Sequence, residues 1–144
     1  MGLAVMMAVS LSAQNPSGGK NSQKMKAVEL NVEDFKSKIY DYTQSPKEWK
    51  FNGEMPAVID FYASWCGPCK MMAPVMDTLA EEFKGRVNVY KVNVETAPEV
   101  AGIFRVQSIP TFVFIPKSGA PKLLTGGMGI EMMRSIIEEN CLVE

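Results

Sequence analysis

The hydrophobic pattern changes rhythm at one point in the middle of the chain. Ala57-Val58-Ile59-Asp60-Phe61-Tyr62-Ala63 is a run of β-branched and aromatic side chains broken by a single carboxylate. So little polar relief predicts a strand covered on both faces. Just beyond it, Cys69, Met72, Met76, Leu79 and Phe83 recur at spacings of three, four, three and four, with Val75 beside them. That is the apolar stripe of a helix, which Gly85 is placed to end. Pro74 falls inside it and predicts a kink. The junction between strand and helix reads Trp65-Cys66-Gly67-Pro68-Cys69.

The remaining elements are shorter. Val28-Glu29-Leu30 is a strand candidate, and Asn31 can cap a helix through Phe35 and Ile39, with Glu33 and Asp34 in its first turn. Val87 to Val94 reads as a strand in which Lys91 shares the inward face of Val87 and Val89. Thr96 and Glu99 have capping-box spacing and predict a short helix through Val100, Ile103 and Phe104. Phe112-Val113-Phe114-Ile115 is another buried strand, Ser118-Gly119 a hairpin turn, and Lys122 to Thr125 the strand that follows. Ile130, Met133, Ile136 and Ile137 line a last helix ending near Asn140, with Cys141 past it. Tyr40 to Met55 has the weakest pattern and reads as a loop without chemistry.

Composition adds organisation. Met1 to Ala13 is apolar apart from its serines, and Leu3 to Leu11 has the length of a signal-peptide core, too short to span a bilayer. Small residues from Ser10 to Ala13 allow cleavage near Ser12 or Ala13. No Lys or Arg precedes the run, so an uncleaved anchor or a frayed helix stays as the alternative to export. Residues 14–26 are polar, with Pro and two glycines, and read as a linker. Residues 27–144 are then one domain. Fifteen basic against sixteen acidic residues give no reason to invoke nucleic acid or an anionic membrane surface. Eleven methionines are ordinary gap-filling where they fall on helical stripes.

The junction carries the chemistry. Residues three apart on a helix are neighbours, so Cys66 and Cys69 can close a disulfide. Cys69 lies on the core-facing stripe. Cys66 sits at the first turn, where unpaired amides and the positive end of the helix dipole favour a thiolate. Pro68 suits that turn, and Gly67 leaves room for another chain's sulfur. A zinc site of four Cys or His ligands within the chain is excluded, because there is no histidine and Cys141 is the one other cysteine. An inert disulfide over so short a loop would stabilise little. The reading is a redox pair, Cys66 attacking and Cys69 resolving. Asp60, buried in mid-strand, should have a raised pKa and could carry protons, with Lys91 as its candidate partner.

The run WCGPCK, the preceding VIDFYAS and the later Ser108-Ile109-Pro110-Thr111 together resemble thioredoxin, over about residues 27–140. The resemblance implies the thioredoxin fold, a three-layer α/β/α arrangement around a mixed, roughly five-stranded sheet. It implies a thiol-disulfide oxidoreductase acting on protein disulfides, with no metal or organic cofactor beyond the cysteine pair. The Gly-Pro dipeptide resembles that of reductases; an oxidase or isomerase of the same fold, or a non-enzymatic client-binding module, is the alternative. Asp60 matches the family's buried aspartate, which helps deprotonate the resolving thiol. From the sequence alone Pro110 reads as trans. The resemblance reverses that to a cis proline packed against the disulfide, with Ile109 offering its backbone to substrate. Trp65, Gly67, Pro68, Ile109, Pro110 and Gly127 would form the docking surface. A monomer is expected, exported to the periplasm and supplied with electrons by a thiol donor in the membrane.

Overall fold

A computed structural model describes residue 2 and residues 23–143. The expected leader, apart from Gly2, and the expected linker up to residue 22 lie outside the described residues. The chain runs β1 (Val28–Glu29), α1 (Val32–Lys38), β2 (Ala57–Tyr62), α2 (Gly67–Glu82), β3 (Asn88–Asn93), α3 (Pro98–Ile103), β4 (Thr111–Ile115), β5 (Lys122–Thr125) and α4 (Ile130–Cys141). The five strands make one sheet in the order β1-β3-β2-β4-β5. β1, β3 and β2 are parallel, and β4 and β5 run antiparallel to their neighbours.

β2 is the central strand, and its side chains alternate between two cores. Val58 meets Val89, Phe112 and Phe114 under Met72, Met76 and Leu79 of α2 and Met133 and Ile137 of α4. Ile59 and Phe61 meet Val92, Val113 and Ile115 under Phe35 of α1 and Val100 of α3. Helices on both faces explain why the β2 run shows no polar alternation. α2 runs unbroken through Pro74 to Glu82. Asn31 caps α1 by accepting the Asp34 N–H at 2.8 Å.

Two expectations are corrected. Thr96 and Glu99 form no capping box: the N-cap of α3 is Ala97, which makes no side-chain bond. Asn93 wins the competition locally, because its Oδ1 accepts the Glu95 N–H at 2.9 Å and its carbonyl accepts the Thr96 hydroxyl and the Ala97 N–H. Cys141 is the last residue of α4 rather than a residue beyond it. Its buried thiol donates to the Ala57 carbonyl at 3.5 Å. Residues 40–55 hold no helix or strand, as expected of a loop, and pack as an aromatic lid on the second core: Tyr40 lies 4.9 Å from Trp49, Trp49 stacks on Phe51 at 6.4 Å and meets Phe104 at 5.9 Å.

Candidate active site

Cys66 is the N-cap of α2, with extended backbone (φ −84°, ψ 112°), and Pro68 occupies the first turn. Cys66 and Cys69 form a disulfide, their Cα atoms 5.2 Å apart. The Cys69 N–H donates to Cys66 Sγ at 3.2 Å, and the Ile109 carbonyl oxygen lies 3.9 Å from the same sulfur. Exposure does not distinguish the two cysteines, at 5% and 3%. Their surroundings do. The Cys66 sulfur faces a helix N-terminus whose free amides stabilise negative charge, while Cys69 is set on the buried stripe of α2. Gly67 and Pro68 are exposed, and a Cβ on Gly67 would meet nothing within 4 Å beyond its chain neighbours and the backbone of its own helix. The space above the pair is therefore open to a second molecule.

The Ile109–Pro110 peptide is cis, as the resemblance implied and the sequence alone did not. The Pro110 carbonyl accepts the Gly126 N–H at 2.8 Å, tying the turn before β4 to the turn after β5. Thr111 locks the same corner, donating to the Ser108 carbonyl at 2.6 Å and lying 3.0 Å from the Thr125 hydroxyl. Gly126, with φ +105°, is the glycine that backbone conformation demands here. At Gly127 an added Cβ would only touch Met72 at 3.8 Å.

Two grooves flank the disulfide. One, of about 220 Å³, lies between Trp65, Val94, Val106 and Ile109; Trp65 itself is 69% exposed. The other, of about 540 Å³, runs between Pro68, Met71, Val75, Gly127 and Met128. Met71 and Met128 were not among the sequence candidates. Met71 carried a usable signal, since it falls off the 69–72–76 stripe and so had to face outward.

Asp60 lies on the face of the sheet that α2 and α4 cover. It is 4% exposed, and its Oδ1 has no hydrogen-bond partner. Burial pushes its carboxyl up to about 7, against the pull of Lys91 and with a further push from Glu29. Lys91 is in register with Asp60, on the face that its alternation with Val87 and Val89 predicts. It is not an ion-pair partner: among the described residues no pair within 4.0 Å joins them, and its Nζ lies 5.8 Å over the Tyr62 ring. Lys91 therefore acts on Asp60 through space. Among the described residues no cluster of three or more Cys, Asp or Glu side chains could hold a metal ion, and no helix is long and apolar enough to cross a membrane.

Comparison with known proteins agrees with this geometry. The thioredoxin family model matches residues 26–139. A thioredoxin of Borreliella burgdorferi is 41% identical over 113 residues, covering 78% of this chain and 96% of that protein. The M-type chloroplastic thioredoxin of Spinacia oleracea is 32% identical over 131 residues, covering 90% of this chain and 72% of its own. Among solved structures, chloroplastic thioredoxin z is similar with a TM-score of 0.63 and 26% identity, over 80% of this chain and 94% of that one.

Proposed function

Since this chain belongs to the thioredoxin family, we propose that it works as a reductase of protein disulfides. Thiol-disulfide exchange is the activity of the Cys66–Cys69 pair. The proposal concerns its direction, its residue roles and its setting. In the reduced enzyme, the Cys66 thiolate attacks one sulfur of a substrate disulfide. A new S–S bond forms, the old one breaks, and the first substrate thiolate leaves and takes up a proton. Cys69 then gives its proton to the Asp60 carboxylate and attacks Cys66 Sγ. The enzyme disulfide closes, the second substrate thiolate departs, and two electrons have passed to the substrate. The observation that carries this reading is Cys66 Sγ at the N-terminus of α2, accepting the Cys69 amide.

Trp65, Gly67, Pro68, Ile109, Pro110 and Gly127 dock the substrate, with Ile109 offering its backbone to an extended segment and the two grooves taking flanking apolar side chains. The setting is an exported, periplasmic monomer, and its support is the apolar run Leu3 to Leu11 followed by small residues. A membrane thiol donor returns the electrons there. Insulin reduction with dithiothreitol tests the activity: Cys66→Ser should abolish turnover, and Cys69→Ser should trap a mixed disulfide. A Cys66→Ser variant that stayed active would overturn the nucleophile. A reduction potential near the −270 mV typical of thioredoxin supports the reductase direction, whereas a value near the roughly −120 mV of a strong oxidant refutes it. Fractionation with N-terminal sequencing tests export: a mature chain starting near Ser12 or Ala13 supports it, and an intact cytoplasmic Met1 refutes it.

A further inference from the structure

One row of the sheet carries alternating charge from its edge to its centre. Glu29 of β1 is in register with Lys91 of β3, and Lys91 is in register with Asp60 of β2. Residues in register across a sheet share a face, so the three side chains project together toward the α2 layer. Their environments differ. Glu29 is exposed, Lys91 is half-buried and Asp60 is buried. Tyr62, two residues beyond Asp60 on the same face, donates its hydroxyl to Glu29 Oε2 at 2.7 Å. The Lys91 ammonium lies over that tyrosine ring and, among the described residues, within 4.0 Å of neither the Glu29 nor the Asp60 carboxylate, while Asp60 Oδ1 has no partner.

We propose that Glu29, fixed by the Tyr62 hydroxyl, is a positioning residue that draws Lys91 toward the sheet edge and so keeps it from pairing with Asp60. The kinetic consequence rests on the reading of Asp60 as acceptor of the Cys69 proton; the placement of Lys91 does not. Lys91 has two carboxylates to choose between. The edge site offers a hydrogen-bonded carboxylate in water and an aromatic face beneath the ammonium, whereas Asp60 offers a buried carboxylate at the cost of desolvating the lysine. With Lys91 held off Asp60, the carboxyl keeps its proton to a higher pH and remains a stronger base once ionised.

The groups facing Asp60 are few. β3 presents Lys91, β1 Glu29 and β2 itself Tyr62, while β4 sets Phe112 in register with it. α2 covers this face with Met72 and Met76, with Cys69 at its start, and α4 brings Cys141 at the far end beside Ala57. Lys91 and Glu29 are the charges that act on Asp60 among the described residues.

The test is a carboxyl NMR titration of Asp60 in the oxidised full-length protein, assigned with Asp60→Asn. Glu29→Gln should move the Asp60 midpoint down by about 1 pH unit. Tyr62→Phe should move it the same way by less, and Glu48→Gln, an exposed acid on the loop after α1, should leave it in place. In a Lys91→Met background the Glu29→Gln shift should shrink severalfold, because the lysine that Glu29 positions is gone. An unchanged midpoint in Glu29→Gln, or an equal shift in the Lys91→Met background, would overturn the proposal; the latter would reduce Glu29 to simple charge repulsion. Decay of a mixed disulfide between Cys66 and a chromogenic aryl thiol separates the two readings. If the Asp60 midpoint moves and the pH profile of that decay moves with it, both stand. If the midpoint moves and the decay profile does not, the positioning of Lys91 stands and the base role of Asp60 falls.

Discussion

Replacing Asp60 by asparagine should stabilise the folded protein, by an amount that grows with pH. The carboxyl is taken out of water with Oδ1 unpaired, and its pKa rises from the ordinary 3.8 to about 7. Below about pH 4 the group is protonated in both folded and unfolded chains and imposes no pH-dependent penalty. Between about 4 and 7 the unfolded chain releases the proton while the folded chain holds it, so stability falls as pH rises. Above 7 the penalty is complete and constant. The difference from 3.8 to about 7 is roughly 3 units, and at 1.36 kcal/mol per unit this is about 4 kcal/mol at pH 8 or above. Asparagine has the same shape and no such titration. Guanidinium unfolding of the oxidised protein and of Asp60→Asn, from pH 4 to pH 9, measures the gap directly. The two curves should nearly meet at pH 4 and separate by several kcal/mol at pH 8. Parallel curves would refute the reasoning, since they would mean that the carboxylate stays solvated in the fold.

The other expectations concern the surfaces around this centre. Met71→Glu places charge in the larger groove and should raise KM severalfold for peptide disulfides with an apolar flank, leaving the reduction potential unchanged; an unaltered KM would remove that groove from substrate binding. Burial pushes the Cys141 thiol up to about 12, so iodoacetamide at pH 8 should label Cys66 in the reduced native protein and reach Cys141 only on unfolding. Rapid labelling of native Cys141 would contradict its packing against Ala57. Trp49→Ala removes a ring that meets Tyr40, Phe51 and Phe104 and should cost about 3 kcal/mol with turnover of the folded enzyme unchanged, measured by denaturation and insulin reduction side by side.

What could be read from the chain divides by the range of the interactions involved. The β2 run and the α2 stripe each carry their periodicity within a few residues, so the junction holding Cys66 and Cys69 was legible. The face of Lys91 was legible for the same reason. The direction its side chain takes was not, because Tyr62 and Glu29 lie 29 and 62 residues away along the chain. Residues 40–55 have no period: their order comes from Trp49 meeting Phe104, a contact that no local pattern encodes. The false capping box at Thr96 shows a second limit. Its spacing was right, but Asn93, three residues earlier, bonds the same stretch of backbone and sets the turn first. The cis peptide before Pro110 was legible only by resemblance, since nothing in an isolated Ile-Pro pair favours that isomer.

The near-equal burial of the two cysteines bears on how the proposed cycle is ordered. If access chose the nucleophile, a 5% against 3% exposure would choose poorly. Charge chooses better. The amides at the start of α2 stabilise one thiolate, at Cys66, and a second thiolate three residues away would be repelled by the first. Ionised Asp60, on the same face of the sheet as α2, would add to that repulsion. On the proposed cycle, Cys69 would therefore keep its proton until the Cys66 charge had been consumed in a mixed disulfide. Only then would the proposed proton transfer to Asp60 become favourable, so that the resolving attack follows the binding of substrate instead of competing with it. A carboxyl that titrates near 7 is suited to that step, because near neutral pH it is ionised often enough to receive a proton and basic enough to take one.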